Sequence, residues 1–238
     1  MISEIVFDGR SSADLRLFVE RPPDPTGPAR RITKYQIPGR SGDGVLDRGE
    51  LDNYNQEYAV YLSADPGMVQ EYAALTAEWL MGPRGYVRLE DSYTPDTYRL
   101  AMFAGPLEVA NTLGSFGRAT LKFDCLPYRR LKSGDYPADI SGGGWLVNPT
   151  QFDALPLIEL TMSGAGALTV NDTTIEIAAM TGKIAIDCET MDAAGPDGTN
   201  LNAKLTAEVF PVLGPGGNQI TYTGGVTDIR ITPRWRTV

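Results

Sequence analysis

The chain has 238 residues and a mass of 25.8 kDa, enough for one large domain or two ordinary ones. It contains no histidine, which excludes Ser-His-Asp and Cys-His relays, histidine-ligated zinc and imidazole proton shuttles. A net charge of −9 argues against a nucleic-acid or anionic-membrane surface.

The N-terminal MISEIVFDGR has no basic start followed by an apolar core, so no signal peptide is expected. No apolar run approaches the roughly 18 residues of a membrane helix. Ile5 to Phe7 and Leu15 to Phe18 read as short strands around an Asp8-Gly9 turn. Arg21 to Arg31 carries four prolines and a glycine and reads as an irregular loop. Ile37-Pro38-Gly39-Arg40-Ser41-Gly42-Asp43-Gly44 is glycine-rich but lacks the Gly-Lys-Ser/Thr ending of a phosphate loop. A tight turn exposing Arg40 and Asp43 as contact residues is the better reading.

The one helix follows Asp65-Pro66, with Asp65 as cap and Pro66 in the first turn. Met68, Tyr72, Leu75 and Trp79 recur at helical spacing as core positions, and Gly82-Pro83 ends the segment. Thereafter the period becomes two. Val87 and Leu89 alternate with Tyr86, Arg88 and Glu90, and Tyr98 to Phe103 is a second extended run. Ala119, Leu121, Phe123 and Cys125 alternate with polar residues as a half-buried strand should.

Residues 132–144 are rich in Gly, Ser, Pro and Asp and mark a domain boundary, giving domains 1–138 and 139–238. The first holds 16 basic and 19 acidic residues (−3), the second 5 and 11 (−6). Beyond the seam only strand signals recur: Ile158 to Met162, Leu168 to Val170 and Thr174 to Ile177 around Asn171-Asp172, then Ile184 to Cys188. Ile220 to Tyr222 and Ile229 to Thr232 flank a turn at Gly224-Gly225. The second domain therefore reads as a β-sandwich or barrel.

Chemistry is sparse. Glu90-Asp91 are adjacent rather than opposed across a cleft, as a glycosidase requires. Asp187 to Asn200 is rich in oxygen ligands but lacks the regular spacing of a calcium loop. Cys125 and Cys188 fall on apolar strand phases and read as buried, reduced thiols. No catalytic residue, metal ligand or cofactor is assigned. Trp145 and Trp235 are left as aromatic contact points, either sugar-stacking platforms or covers over a core edge.

The order of the turn motifs carries further information. Phe7-Asp8-Gly9, Ile37 to Asp43, Trp79-Leu80, Asp91 to Tyr98 and Phe123 to Pro127 resemble the N-terminal half of siphophage distal tail proteins. Asn148-Pro149-Thr150, Pro156-Leu157-Ile158, Gly164-Ala165-Gly166, Ile186-Asp187, Asn200, Phe210-Pro211, Gly217-Asn218 and Ile231 to Trp235 are similar to the C-terminal half. Thr94-Pro95-Asp96 stands where the family often has Asp-Pro-Asp, and the turn chemistry is kept.

The resemblance implies a mainly β protein with one α-helix: an N-terminal ring-forming, tail-tube-like domain and a C-terminal galectin-like β-sandwich. It implies a non-enzymatic homohexamer in the virion tail tip, assembled in the host cytoplasm. Its partners would be the tail-tube protein, the tail-tip hub protein and receptor-binding or adhesion proteins. DNA would pass through the ring without specific binding, and no membrane is involved. A lectin-like carbohydrate module is the alternative reading.

Overall fold

The computed structural model describes residues 3–112 and 114–238. Its contacts divide the chain into two units, Met1–Arg129 with Val238, and Arg130–Thr237. The glycine-rich segment 132–144 lies inside the second unit. There Ile140 joins the hydrophobic core and its N–H donates to the Ile229 carbonyl at 2.9 Å.

The first unit contains β1 (Ile5–Phe7), β2 (Arg10–Ser11), β3 (Leu17–Val19), β4 (Arg30–Gln36), β5 (Asp43–Leu51) and β6 (Tyr54–Ser63). The helix α1 (Val69–Met81) separates these from β7 (Val87–Asp91), β8 (Thr97–Phe103) and β9 (Ala110–Thr112). β10 (Phe116–Leu131) then carries the chain into the second unit. The main sheet runs β2-β1-β7-β8-β10-β6-β3, with β9 also on β10. The Asp8-Gly9 turn forms as expected: both residues have positive φ, at 51° and 77°, and Phe7 pairs with Arg10. That is the backbone twist a two-residue hairpin demands.

One face of this sheet builds the core. Tyr58, Val60 and Leu62 on β6 and Leu121, Phe123 and Cys125 on β10 point inward, alternating with exposed or half-buried neighbours. Phe123 lies at the centre, 5.1 Å from Phe7, 5.6 Å from Phe103 and 6.0 Å from Tyr58 between ring centroids. These are tilted and edge-on contacts, as aromatic quadrupoles favour.

α1 covers the core but begins later than the sequence suggests. Gly67 adopts φ 87°, and Met68 occupies the cap position without a side-chain hydrogen bond. Asp65 instead sits 3.7 Å from Arg16. Of the predicted positions Trp79 is buried and Tyr72 packs against the core, while Val69, Thr76 and Leu80 complete the buried face, Met68 is half-buried and Leu75 is exposed. Trp79 holds its place by donating its indole N–H to the Phe7 carbonyl at 3.1 Å.

The second unit holds β11 (Ala138–Asp139), β12 (Gly144–Asn148), β13 (Leu157–Val170), β14 (Thr173–Asp187) and β15 (Asp192–Ala194). β16 (Leu205–Thr206), β17 (Gly216–Thr232) and β18 (Arg236–Thr237) complete it. The segments predicted as separate short strands join into three long ones, β13, β14 and β17. β17 runs straight through the expected Gly224-Gly225 turn. A Cβ on Gly225 would meet the Gly164 backbone at 2.6 Å, and one on Gly224 the Ala165 carbonyl oxygen at 2.5 Å. The glycines are thus sites of close backbone approach at a strand irregularity rather than chain reversals.

The three long strands are shared by two halves. At one end the order is β12-β17-β13-β14-β16, and at the other β11-β17-β13-β14-β15. Ile158, Leu160 and Met162 from one half of β13 and Leu168 and Val170 from the other lie in a single core cluster. The sheet must therefore fold over its own core at the glycine-rich irregularities. The Asn171-Asp172 hairpin turn forms as expected, with Asn171 at φ 53° and Val170 paired with Thr173.

Candidate assembly surfaces

The carboxylates singled out in the sequence are engaged in structure. Asp91 is buried and accepts hydrogen bonds from Arg99 at 2.8 Å, Tyr58 at 2.9 Å and the Thr94 N–H at 2.8 Å. Burial alone would raise its pKa, but the Arg99 guanidinium and the Tyr58 and Thr94 hydrogen bonds hold it below the usual aspartate value. Glu90 pairs with Arg88 at 2.5 Å. An ionised, fully hydrogen-bonded aspartate inside a core has no free lone pair aimed at a substrate. Its chemistry here is to lock the β7–β8 turn.

The Asp187–Asn200 segment resolves the same way. Arg234 donates to both Asp187 oxygens, at 2.7 and 3.0 Å, and Arg130 to both Glu189 oxygens at 2.6 Å. Asp192 accepts from Asn202 at 2.6 Å, and Asp197 from the Thr199 N–H at 3.1 Å. Among the described residues, no three His, Cys, Asp or Glu side chains gather to hold a metal ion. Cys125 and Cys188 are free and buried, and burial pushes their thiols up to about 11 and about 12. Neither has thiolate character at neutral pH.

The four candidate contact residues separate sharply. Trp235 is only 5% exposed and belongs to the second core. Its backbone lies so close to Gly134 that a Cβ there would come within 2.3 Å of the Trp235 nitrogen. A sugar platform is therefore excluded for it, because a core ring has no free face to stack on. Trp145 is 66% exposed on β12, its ring lying against Gly217 and Val147 standing exposed two residues on. The period of two places both on the same side of the strand.

Arg40 and Asp43 lie at the tip of the β4–β5 ribbon, both exposed. The turn that presents them uses positive φ at Gly39 (78°) and Gly42 (92°). Sequence reasoning found this turn but missed the ribbon that carries it. β4 and β5 pair only with each other, as a separate two-stranded sheet, and none of their residues is buried. Ile32, Tyr35, Val45 and Leu46 are all exposed. Its base is fastened: Thr26 donates to Gln56 at 2.9 Å, Arg129 donates to the Thr26 carbonyl at 2.8 Å, and the Asp52 N–H reaches the Ala29 carbonyl at 2.9 Å.

Neither family models nor curated proteins give a match to the sequence. Solved structures do. The crystal structure of SPP1 Dit, described as a paradigm of the hub adsorption apparatus in phages infecting Gram-positive bacteria, matches over 100% of both chains with a TM-score of 0.76. The chain has the Dit fold. Identity to Dit is only 14%, so what is shared is the path of the chain rather than its side chains. The phage P2 baseplate in its activated conformation also matches, with calcium (TM-score 0.56) and with strontium (0.59), each at 11% identity over 97% of both chains. The resemblance to distal tail proteins seen in the turn motifs is thus met, at the level of fold, by proteins of phage tail tips. The mainly β architecture with one helix is the Dit-like one.

Proposed function

We propose that this protein is a structural hub of a phage tail tip, six copies closing into a ring that joins the tail tube to the baseplate and adhesion proteins. The observation that carries this reading is the full-length match to Dit, which covers both units in one alignment. The engaged state of every candidate carboxylate supports a part without catalysis. In this reading the first unit, through Arg129, forms the tail-tube-like ring, and the second unit, from Arg130, forms a galectin-like sandwich that offers docking surface to tail-tip partners. The protein belongs to the virion tail and is assembled in the host cytoplasm.

Ring closure requires heterologous interfaces, one surface of each copy meeting a different surface of the next. The charge then has a use: six copies carry 6 × −9 = −54. An acidic lumen would let DNA pass without trapping it, since phosphate binding depends on lysine and arginine. Negative-stain imaging of the purified chain should show rings with an open centre. Compact particles without a central opening would contradict the channel, and a lumen lined by Lys and Arg in a ring structure would contradict its electrostatic role.

The exposed Trp145-Val147 pair favours a second reading for the C-terminal unit, glycan contact through an aromatic face. Glycan-array binding that disappears in Trp145→Ala would support it. Absence of binding by the unaltered chain would remove it.

A further inference from the structure

We propose that the threonine-rich outer face at the β12 end of the second unit binds an uncharged saccharide chain, with Trp145 as its stacking platform. This rests on the glycan reading of Trp145 above and names the surface and the class of sugar.

The register defines the face. β12, β17, β13 and β14 lie side by side here. Leu168, Val170, Ile175 and Ile220 are buried, so the alternate positions Thr169, Thr174, Gln219 and Thr221 point outward. Trp145 stands directly opposite Gln219 across the ladder. Two residues further along β17, Thr221 stands opposite Thr169, and Thr169 opposite Thr174. Neighbouring strands lie roughly 4.8 Å apart, so the indole and the row of hydroxyls form one continuous surface.

The groups on this surface are available to a ligand. A Cβ on Gly217 would come within 3.3 Å of the Trp145 ring, so the glycine lets the indole pack on the sheet while most of the side chain stays exposed. The Thr221 hydroxyl and the Gln219 side-chain amide have no partner among the described residues. Thr169 and Thr174 share one hydrogen bond at 2.9 Å, which leaves one hydroxyl of the pair free to donate. A pyranose presents an apolar C–H face and a rim of hydroxyls. An aromatic ring flanked by neutral donors and acceptors matches both.

Charge decides which saccharide fits. The same three long strands carry a second outer face beyond the glycine-rich irregularity. There Glu159 stands opposite Arg230, and Lys183 and Asp228 flank Thr161. On the Trp145 face Glu176 is the one charged strand residue, set between Ala167 and Thr206, and no lysine or arginine points outward from these strands. Sulfated, phosphorylated and carboxylated glycans are held by lysine and arginine, and a face bearing only a carboxylate repels them. A protein partner is disfavoured too. Beyond Trp145 and Val147 the outward positions are mostly threonine, glutamine and alanine, without the aromatic, methionine and arginine cluster of an interface core.

The test is binding of the full chain to an array of neutral hexose and N-acetylhexosamine oligomers beside sulfated, phosphorylated and uronic-acid chains. Trp145→Ala should weaken binding to the neutral oligomers by at least about tenfold. The double variant Thr169→Val, Thr221→Val keeps the shape and strand preference while removing two hydroxyls, and should weaken it by about fivefold or more. Circular dichroism, melting and mass in solution should be those of the unaltered chain for both. Neutral binding lost in Trp145→Ala but unchanged in the double variant would overturn this face and leave glycan contact at Trp145 standing. A preference for the anionic chains would do the same. Assembly lost in Trp145→Ala would show the face covered by another copy and overturn the proposal. An unaltered chain that binds no glycan would overturn both the face and the glycan reading, and leave the hub reading untouched.

Discussion

Two antiparallel hairpins in this molecule obey the same pairing rules and come to opposite ends. β13–β14 places Ile158, Leu160 and Met162 opposite Ile186, Ile184 and Gly182, with the apolar side chains in one core. β4–β5 pairs just as regularly but buries nothing. The difference lies in how apolar residues are distributed. In β13 and β14 the strictly alternate positions are apolar, so one face can be desolvated as a unit. In the ribbon the apolar residues are split between two faces and interleaved with Arg, Lys and Asp. Neither face can be buried against the ribbon's own chain without stranding charge. A hairpin of the first kind contributes to folding, whereas one of the second kind leaves its apolar side chains in water.

That contrast can be broken by substitution, and the largest effect is expected at the buried ion pair of the main sheet. Asp91→Ala should cost about 3–5 kcal/mol in urea unfolding, because it leaves Arg99 charged and unpaired in the core. Removing either acidic partner of the exposed ribbon pairs, Asp47 or Glu50, should cost at most about 1 kcal/mol. Equal losses at the two places would erase the distinction.

Core truncation comes next. Ile186→Ala, at a fully buried position of β14, should destabilise the second unit by about 2–5 kcal/mol. Smaller, at about 1–3 kcal/mol, is the expected cost of Gly225→Ala, where the new methyl group must displace the Gly164 backbone. At the bottom of the scale, Ile32→Ala or Val45→Ala should shift stability by no more than about 0.5 kcal/mol, although both remove a large apolar side chain. A loss above about 2 kcal/mol at either ribbon position would mean that the ribbon is packed.

Acid sharpens the same comparison. Asp91 has a folded-state pKa below its unfolded value, so the unfolded chain binds the proton first. The stability it contributes is complete above the ordinary aspartate pKa of about 3.9 and drains away as pH falls through the lower folded value. Asp187, held down by Arg234 against the effect of its own burial, should act in the same direction. Asp91→Asn should therefore flatten the fall in stability below about pH 4. An unchanged slope would show that the buried carboxylate is not the group being protonated.

How much of this was legible in the sequence follows from what each signal measures. Period-two alternation at Val87–Leu89, Leu121–Cys125 and Ile158–Met162 reports one-sided burial, and those strands appear where expected. The Asp8-Gly9 and Asn171-Asp172 turns were readable because their residues tolerate positive φ. The ribbon was not readable, since a hairpin with neither face buried has no periodic signature. Continuity of β17 through Gly224-Gly225 was hidden because a glycine pair serves equally as a reversal or as a close crossing. Trp235 is flanked by two arginines, yet Arg234 turns to Asp187 and the ring enters the core. Local sequence does not show which side of a two-residue step faces inward.

The central claim, that this chain is a ring-forming hub, is tested most directly by its mass in solution, measured by light scattering across a range of concentrations. Six copies of 25.8 kDa give a particle of about 155 kDa, and the account predicts that mass. A particle that stays at 25.8 kDa, or that grows without limit as an open filament, would contradict it.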